Sequence, residues 1–448
     1  MKNLKIVLLG AGSRYFEYVV GELAITPELA GSTIVMYDID RPRMDLIYRA
    51  CKRTIAKTKC GIKLSATMDL SKALDGANFA ISSIGVHGPD ASWHKLDSEV
   101  CARFGIIHTT GDSVGPSGIS QGLRIIPIYV NIAQAMRKYC PDIILLNHSN
   151  PMNPICRAII KATGINTVGY CHNVAHDISR FAKLLNLPVN ELEVTVAGPN
   201  HMNWLLAIRH QGQDVYPKLK QVILNMKPEH GMIFAREVLQ LLDIFPVGGD
   251  RHMLEFYPHA RQATKPEELR YGLKWRAATI EAHHLAREIS HEPDELVLRA
   301  KGQKEPWIPT GKSPESMGEQ IRAMAFSREK IHYVNTPNRG AVTNLPDWAV
   351  IELKAVVGSH GARPLFVGPL PPQAVRWSLP TVYAHELMVD AAIEGSREKA
   401  LMALACDPMM TNFGEVEPLF DAMVEAQGQR LTTFRKAGAR PRRSPVAR

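Results

Sequence analysis

An apolar strand that runs straight into two glycines opens this chain and limits its fold more than any other feature. Residues 4–16 read Leu-Lys-Ile-Val-Leu-Leu-Gly-Ala-Gly-Ser-Arg-Tyr-Phe. A strand, a Gly10-x-Gly12 turn and a following helix bring backbone N–H groups and the positive end of a helix dipole to one point, where phosphate is held closely. Tyr15 stands where the third glycine of the usual fingerprint would be. Asp38, at the end of the next apolar run, Ser32–Tyr37, strengthens the signal. A carboxylate there accepts hydrogen bonds from both ribose hydroxyls and favours NAD over NADP, although Arg41 is placed to accommodate a 2′-phosphate.

Buried-strand runs and helical stretches alternate through the first 150 residues, the pattern of a parallel sheet. Strands are predicted at Lys5–Leu9, 32–37, 62–66, 79–84, 143–147 and 168–171, and helices at Tyr15–Ala24, 42–58, 70–74 and 125–139. Beyond residue 171 longer amphipathic helices take over, at 174–185, 233–242, 273–288 and 314–326, with strand-like pieces at 192–197, 204–210, 341–343 and 349–354. The expected fold class is α/β: a Rossmann-type doubly wound parallel sheet over 1–170, then a mixed α/β catalytic domain over 171–434. A basic tail, 435–448, follows.

With 45% hydrophobic and 22% charged residues the chain is an ordinary globular protein with a sizeable core. No apolar run approaches the roughly 20 residues of a membrane helix, and a cytoplasmic enzyme is expected. The seven cysteines are scattered without a CxxC, as suits reduced thiols. The net charge of +9 argues little for nucleic acid, because six basic residues and no acid fall in the tail, leaving +3 for the rest.

Two segments beyond the first sheet offer metal chemistry. Cys171, in Tyr-Cys-His-Asn-Val, ends a predicted strand, where ligands of doubly wound sheets sit. His201 lies in Gly-Pro-Asn-His-Met-Asn-Trp. A thiolate and an imidazole leave coordination positions open for substrate oxygens, which suits Lewis-acid work, and a nicotinamide beside a metal points to redox chemistry on a hydroxyl. Asn147 and Asn150, in Asn-His-Ser-Asn-Pro, are candidates to orient the nicotinamide or a polyol. The glycine-rich stretch Thr110–Gly118 around Asp112, and Gly248-Gly-Asp250-Arg251-His252, supply candidates for general acid and base.

Gly-Ala-Gly-Ser, Tyr-Asp-Ile-Asp, Asn-x-Ser-Asn-Pro, Cys-His-x-Val, Asn-His-x-x-Trp, Gly-Asp-Arg-His-x-x-Glu-Phe and Pro-Asn-Arg-Gly-Ala-Val-Thr-Asn-Leu-Pro occur in that order. In this the chain resembles glycoside hydrolase family 4, from residue 5 to about 410. The resemblance implies a fold like that of lactate and malate dehydrogenases, NAD and Mn²⁺ as cofactors, and glycosidases apart from the two-carboxylate kind. It makes Cys171 and His201 metal ligands, and Gly10, Gly12, Ser13 and Asp38 the NAD shell with Asn147. Asn150, Asn173 and Arg251 fall on the substrate, Asp250 becomes the base of the α-glucosidase-like branch, and Asp112 and His172 face the scissile end of the sugar.

The implied activity is hydrolysis of an α-glycoside (glucoside, galactoside or uronide) through oxidation at C3, metal-assisted loss of the C2 proton to Asp250, elimination with Asp112 or His172 as acid, and addition of water. Asn173 departs from the residues that mark the glucosidase-, galactosidase- and galacturonidase-like branches and leaves the sugar open. An unphosphorylated substrate is expected, since the segments of the 6-phosphosugar branch are not matched. A plain NAD-dependent dehydrogenase of a hydroxy acid or polyol is the alternative, and a sugar- or dinucleotide-sensing regulator a second. A homodimer or homotetramer is expected, with apolar stretches such as 350–357 supplying hydrophobic surface and the tail lying outside the interface. Neither nucleic acid nor membrane is expected as a partner.

Overall fold

The structure, a computed structural model, describes residues 3–227, 231–257, 263–289, 294–311 and 316–436. Most of the basic tail therefore falls outside the described residues. Among the described residues, thirteen strands form one sheet. In chain order they are β1 (Lys5–Leu9), β2 (Thr33–Tyr37), β3 (Lys63–Thr67), β4 (Phe79–Ser82), β5 (Ile144–Asn147), β6 (Asn166–Gly169), β7 (Leu192–Gly198), β8 (Asn203–His210), β9 (Gln213–Asp214), β10 (Phe245–Val247), β11 (Lys330–Pro337), β12 (Val350–Gly358) and β13 (Gly361–Pro364).

β3-β2-β1-β4-β5-β6 is a parallel, doubly wound array, the order of dinucleotide-binding sheets. Alternation along β1 explains the two faces. Ile6 and Leu8 pack with the helices Tyr15–Ala24, Arg41–Thr58 and Met317–Ala325. Val7 and Leu9 pack with Gly115–Tyr139, Met152–Thr163 and Pro372–Glu394. Each such fully buried aliphatic side chain stabilises the fold by roughly 2 kcal/mol.

The sheet crosses residue 170 without a break. Gly169 of β6 pairs antiparallel with Asn335 of β11, and the array continues through β12, β7, β8 and β10. Both helical layers mix residues from the two halves of the chain. Three expectations change. The helix expected at 125–139 begins at Gly115, so Gly115–Gly118 of the presumed loop are helical. Residues 341–343 form turns, because Asn338 uses its amide on the carbonyls of Val342 and Leu345 and so bends the segment. The apolar run 350–357 is not a surface: it is a strand between β7 and β11 with Ile351, Leu353, Ala355 and Val357 fully buried.

Candidate active site

The carboxyl ends of the parallel strands converge on the candidate residues. After β1 the chain turns at Gly10 (φ +82°), where a Cβ would lie 2.6 Å from the Ser83 carbonyl oxygen. Only glycine fits. The N–H groups of Gly10 and Ala11 both donate to Tyr37 O at 3.0 Å, which locks the turn onto β2. Asp38 Oδ2 accepts the Gly12 N–H at 2.7 Å and Oδ1 accepts the Asp40 N–H at 2.8 Å. A carboxylate offers about four acceptor positions, so two stay open for hydroxyl donors. Beside it Ile39 is 82% exposed, an apolar face suited to a planar ring. Ser13 Oγ lies 3.0 Å from Ser83 Oγ at the head of the first helix.

Asn147, expected beside the nicotinamide, lies at the end of β5. It is fully buried; its Oδ1 accepts from the Ser82 hydroxyl and the Ser149 N–H, and its Nδ2 donates to Ser149 O. It shapes the 147–150 turn at the carboxyl end of β5. Three residues on, Asn150 Nδ2 donates to Asp112 Oδ2 at 3.3 Å, while its Oδ1 is buried with no partner among the described residues. A sugar hydroxyl would satisfy that orphan acceptor.

Cys171 stands two residues past β6, and His201 occupies the turn between β7 and β8 with φ +67°. His201 Nε2 lies 3.6 Å from Cys171 Sγ. Metal–sulfur and metal–nitrogen bonds of about 2.3 and 2.0 Å at a tetrahedral angle place their donors roughly 3.6 Å apart, so this pair fits one first-row cation. The tautomer fits as well. Ser113 Oγ donates to Asp112 Oδ1 at 2.8 Å and so accepts Nδ1–H of His201 at 3.0 Å, leaving the Nε2 lone pair toward the thiol.

His252 completes the cluster. Its ring centroid is 4.0 Å from that of His201, its Nδ1 is 3.7 Å from Asp112 Oδ1, and Asp112, His201 and His252 form a group able to hold a cation. Burial holds both imidazoles below their ordinary range, so both are neutral, as ligands must be.

The loop carrying Asp112 is fixed from the Gly-Asp-Arg-His-x-x-Glu-Phe segment, in which the sequence marked Glu255 only as a member of the motif. Buried Glu255 accepts from the Thr109, Thr110 and Gly111 N–H groups at 2.8, 2.8 and 3.0 Å. Arg251 O accepts the Thr109 and Thr110 hydroxyls, and the Arg276 N–H donates to His108 O at 2.8 Å. Arg251 and Arg276 thus flank one loop, within electrostatic reach of each other and of Asp112. Neither makes an ion pair among the described residues, and Arg276 Nε has no partner.

Asp250 is held differently from the free base that the sequence suggests. Its two oxygens accept the N–H groups of Phe234 and Ala235 at 3.1 and 3.0 Å, at the start of the helix Ile233–Leu242. Asn173 Nδ2 reaches Gly248 O at 3.4 Å, and His172 is exposed at the head of the helix Asn173–Leu185. The structure therefore gathers Cys171, His201, Asp112 and Asn150 and adds Ser113 and His252. His252 was legible as the imidazole of the Gly-Asp-Arg-His segment but not as a neighbour of His201, and Ser113 only as part of a glycine-rich loop.

The profile described as "Family 4 glycosyl hydrolase" matches residues 5–187, and that of the family's C-terminal domain matches residues 196–410. An α-galactosidase of Bacillus subtilis is 28% identical, covering 96% of this chain and 100% of its own. An α-galacturonidase of Thermoanaerobacterium saccharolyticum is 28% identical with 94% and 95% covered, and an α-glucosidase of Erwinia rhapontici 29% identical with 94% and 98% covered. The crystal structure of a 6-phospho-α-glucosidase from gut microorganisms in complex with NAD and Mn²⁺ superposes with a TM-score of 0.80 at 21% identity, covering 96% and 99%. A malate dehydrogenase of Plasmodium falciparum superposes at 0.52 with 12% identity, covering 87% and 99%, a likeness of fold alone.

Proposed function

The chain belongs to the family 4 glycosyl hydrolases, and on that premise we propose that it hydrolyses α-glycosides using NAD at Gly10–Asp38 and Mn²⁺ at Cys171 and His201. The dehydrogenase alternative shares the fold but has no use for a thiolate–imidazole pair. Bound together, NAD supplies a hydride acceptor for the sugar C3 and the cation supplies Lewis acidity at the C3 oxygen.

The chain's own groups do the remaining work. Ser113 and Asp112 hold His201 in its ligating tautomer, and Asn150 offers Oδ1 to a sugar hydroxyl. Asp250 is the assigned base for the C2 proton: two backbone donors fix its carboxylate and leave a lone pair on each oxygen. Asp112 accepts from both Ser113 and Asn150, the pattern of a carboxylate and not of a proton donor. We therefore assign protonation of the leaving oxygen to His172, exposed at the head of its helix; desolvation, with His176 and Arg251 nearby, holds its imidazole below the ordinary range and makes its protonated form a stronger acid.

Arg251 and Arg276, two guanidinium groups without an ion-pair partner among the described residues, favour an acidic sugar, a uronide, over a neutral one. Asn173 adds its amide to the same wall. The dinucleotide half spans 1–170 and the metal and substrate half 171–434. None of the described cysteines is in a disulfide, which supports a cytoplasmic location, and no helix of the described residues is long and apolar enough to cross a membrane. A homodimer or homotetramer is the proposed assembly.

The observation that carries the reading is the 3.6 Å Sγ–Nε2 pair backed by the Ser113–Asp112 relay. A panel of aryl α-glycosides, assayed with and without NAD, Mn²⁺ and a thiol reductant, tests it. Aglycone release that needs both cofactors, yields no net NADH and is fastest on a uronide is expected. Net NADH from an alcohol would favour the dehydrogenase, and faster release from a 6-phospho-glycoside would overturn the sugar assignment.

A further inference from the structure

A carboxylate in the middle of a buried strand demands an explanation. Glu352 lies in the apolar run of β12, fully buried, with Asn335 opposite it on β11 and Gly198 on β7. An aliphatic residue would fill that position without the cost of burying an acid. Its Oε2 accepts from two amides, Asn200 Nδ2 at 2.8 Å and Asn203 Nδ2 at 2.7 Å. These residues bracket His201. The turn between them is tight: the Met202 N–H donates to Pro199 O at 2.9 Å, the Asn200 N–H donates to Asn153 Oδ1 at 2.7 Å, and His201 itself is left-handed. A non-glycine residue in that conformation is strained, so other contacts must hold it there.

We propose that Glu352 is a positioning residue for His201: one buried carboxylate oxygen draws Asn200 and Asn203 together and holds the imidazole where its Nε2 faces Cys171. Glu352 touches neither the thiol nor the imidazole and acts only through the two amides. The inference rests on Cys171 and His201 being the metal pair.

The experiment is Mn²⁺ titration of the chelator-stripped full-length protein, followed by electron paramagnetic resonance of the free ion. NAD affinity from tryptophan fluorescence and the thermal midpoint are measured alongside. Glu352→Leu removes both acceptors, whereas Glu352→Gln keeps one oxygen able to take both amides. Glu352→Leu should weaken Mn²⁺ binding about 10–100-fold with NAD affinity within about twofold of the parent, and Glu352→Gln should restore most of the loss. Should the leucine variant not fold, Asn200→Ala and Asn203→Ala, which leave the acid in place, are each expected to weaken Mn²⁺ binding. Unchanged Mn²⁺ affinity in a folded Glu352→Leu protein or in both asparagine variants would overturn the proposal, as would a glutamine variant no better than leucine. Cys171→Ser and His201→Ala serve as controls. If they too bind Mn²⁺ normally, the metal assignment fails; if they lose it while Glu352→Leu does not, only the present inference fails.

Discussion

Two residues at the site have requirements that no other side chain meets. At Gly10 both the backbone conformation and the space forbid a Cβ, which would press on Ser83 O at 2.6 Å. Gly10→Ala is therefore expected to destabilise the fold by about 1–3 kcal/mol and to lower NAD affinity at least about tenfold. Equilibrium unfolding and fluorescence titration check it, and a variant that binds NAD like the parent would contradict the cofactor site. As the proposed metal ligand, Cys171 would supply a soft thiolate that serine does not replace. Cys171→Ser should lose Mn²⁺ and activity together while NAD binding persists, as calorimetric titration would show. Both residues were legible in the sequence because their chemistry is local: a glycine after one strand, a cysteine after another. Ser113 and Glu352 were not, because they act across about 90 and 150 residues of chain on His201 and its neighbour Asn200; His252 was legible as an imidazole of the Gly-Asp-Arg-His segment, but not as a neighbour of His201. Asp250 was readable as an acid in the right segment, but not its backbone partners at Phe234 and Ala235.

Secondary structure follows the same division. The first strand and helix fall where hydrophobic periodicity put them, since buried alternation and Asp or Gly punctuation are local signals. The helix Gly115–Tyr139 escaped over its first ten residues because Gly, Pro and Ser there read as loop. Tertiary contact overrides propensity at this point: a Cβ at Gly118 would lie 2.8 Å from Ser113 backbone carbon, and one at Gly122 2.1 Å from Met388 Sδ. Pro116 sits in the first turn, where its missing N–H costs nothing. The helix start is held by buried Asp407, whose Oδ2 accepts the Gly115 N–H at 2.8 Å.

Burial pushes the Asp407 carboxyl up to about 6, against the pull of the Met409 and Gly115 N–H groups. Unfolded, it titrates near 3.9. Between these values the folded state holds a proton that the unfolded chain releases, so this residue makes stability fall as pH rises from about 4 to about 6. Asp407→Asn removes that fall. Urea unfolding of both proteins at pH 4.5, 5.5 and 7 should show the difference moving in the variant's favour by about 2 kcal/mol across that range. A difference independent of pH would contradict it.

At the scale of the molecule the dinucleotide-type sheet was legible in the sequence and its continuation was not. Strand–helix alternation announces a parallel array, whereas the antiparallel pairing of β6 with β11 joins residues more than 160 positions apart. Two family profiles divide the chain at 187 and 196, yet Val7, Ile125, Met388 and Phe420 share one core. One calorimetric unfolding transition is expected for the full chain, and a fragment ending at residue 187 should not fold alone; two separable transitions would show that the halves are independent. The shared sheet also bears on chemistry, since it carries the glycine turn, Cys171 and His201 on one rigid support. The claim that unites them is hydrolysis through oxidation at C3 and proton loss at C2. An aryl α-glycoside deuterated at C2, turned over in ordinary water, tests it most directly. Slower turnover than the protiated substrate and loss of the label to solvent are predicted; equal rates with full retention of deuterium in the released sugar would contradict the account.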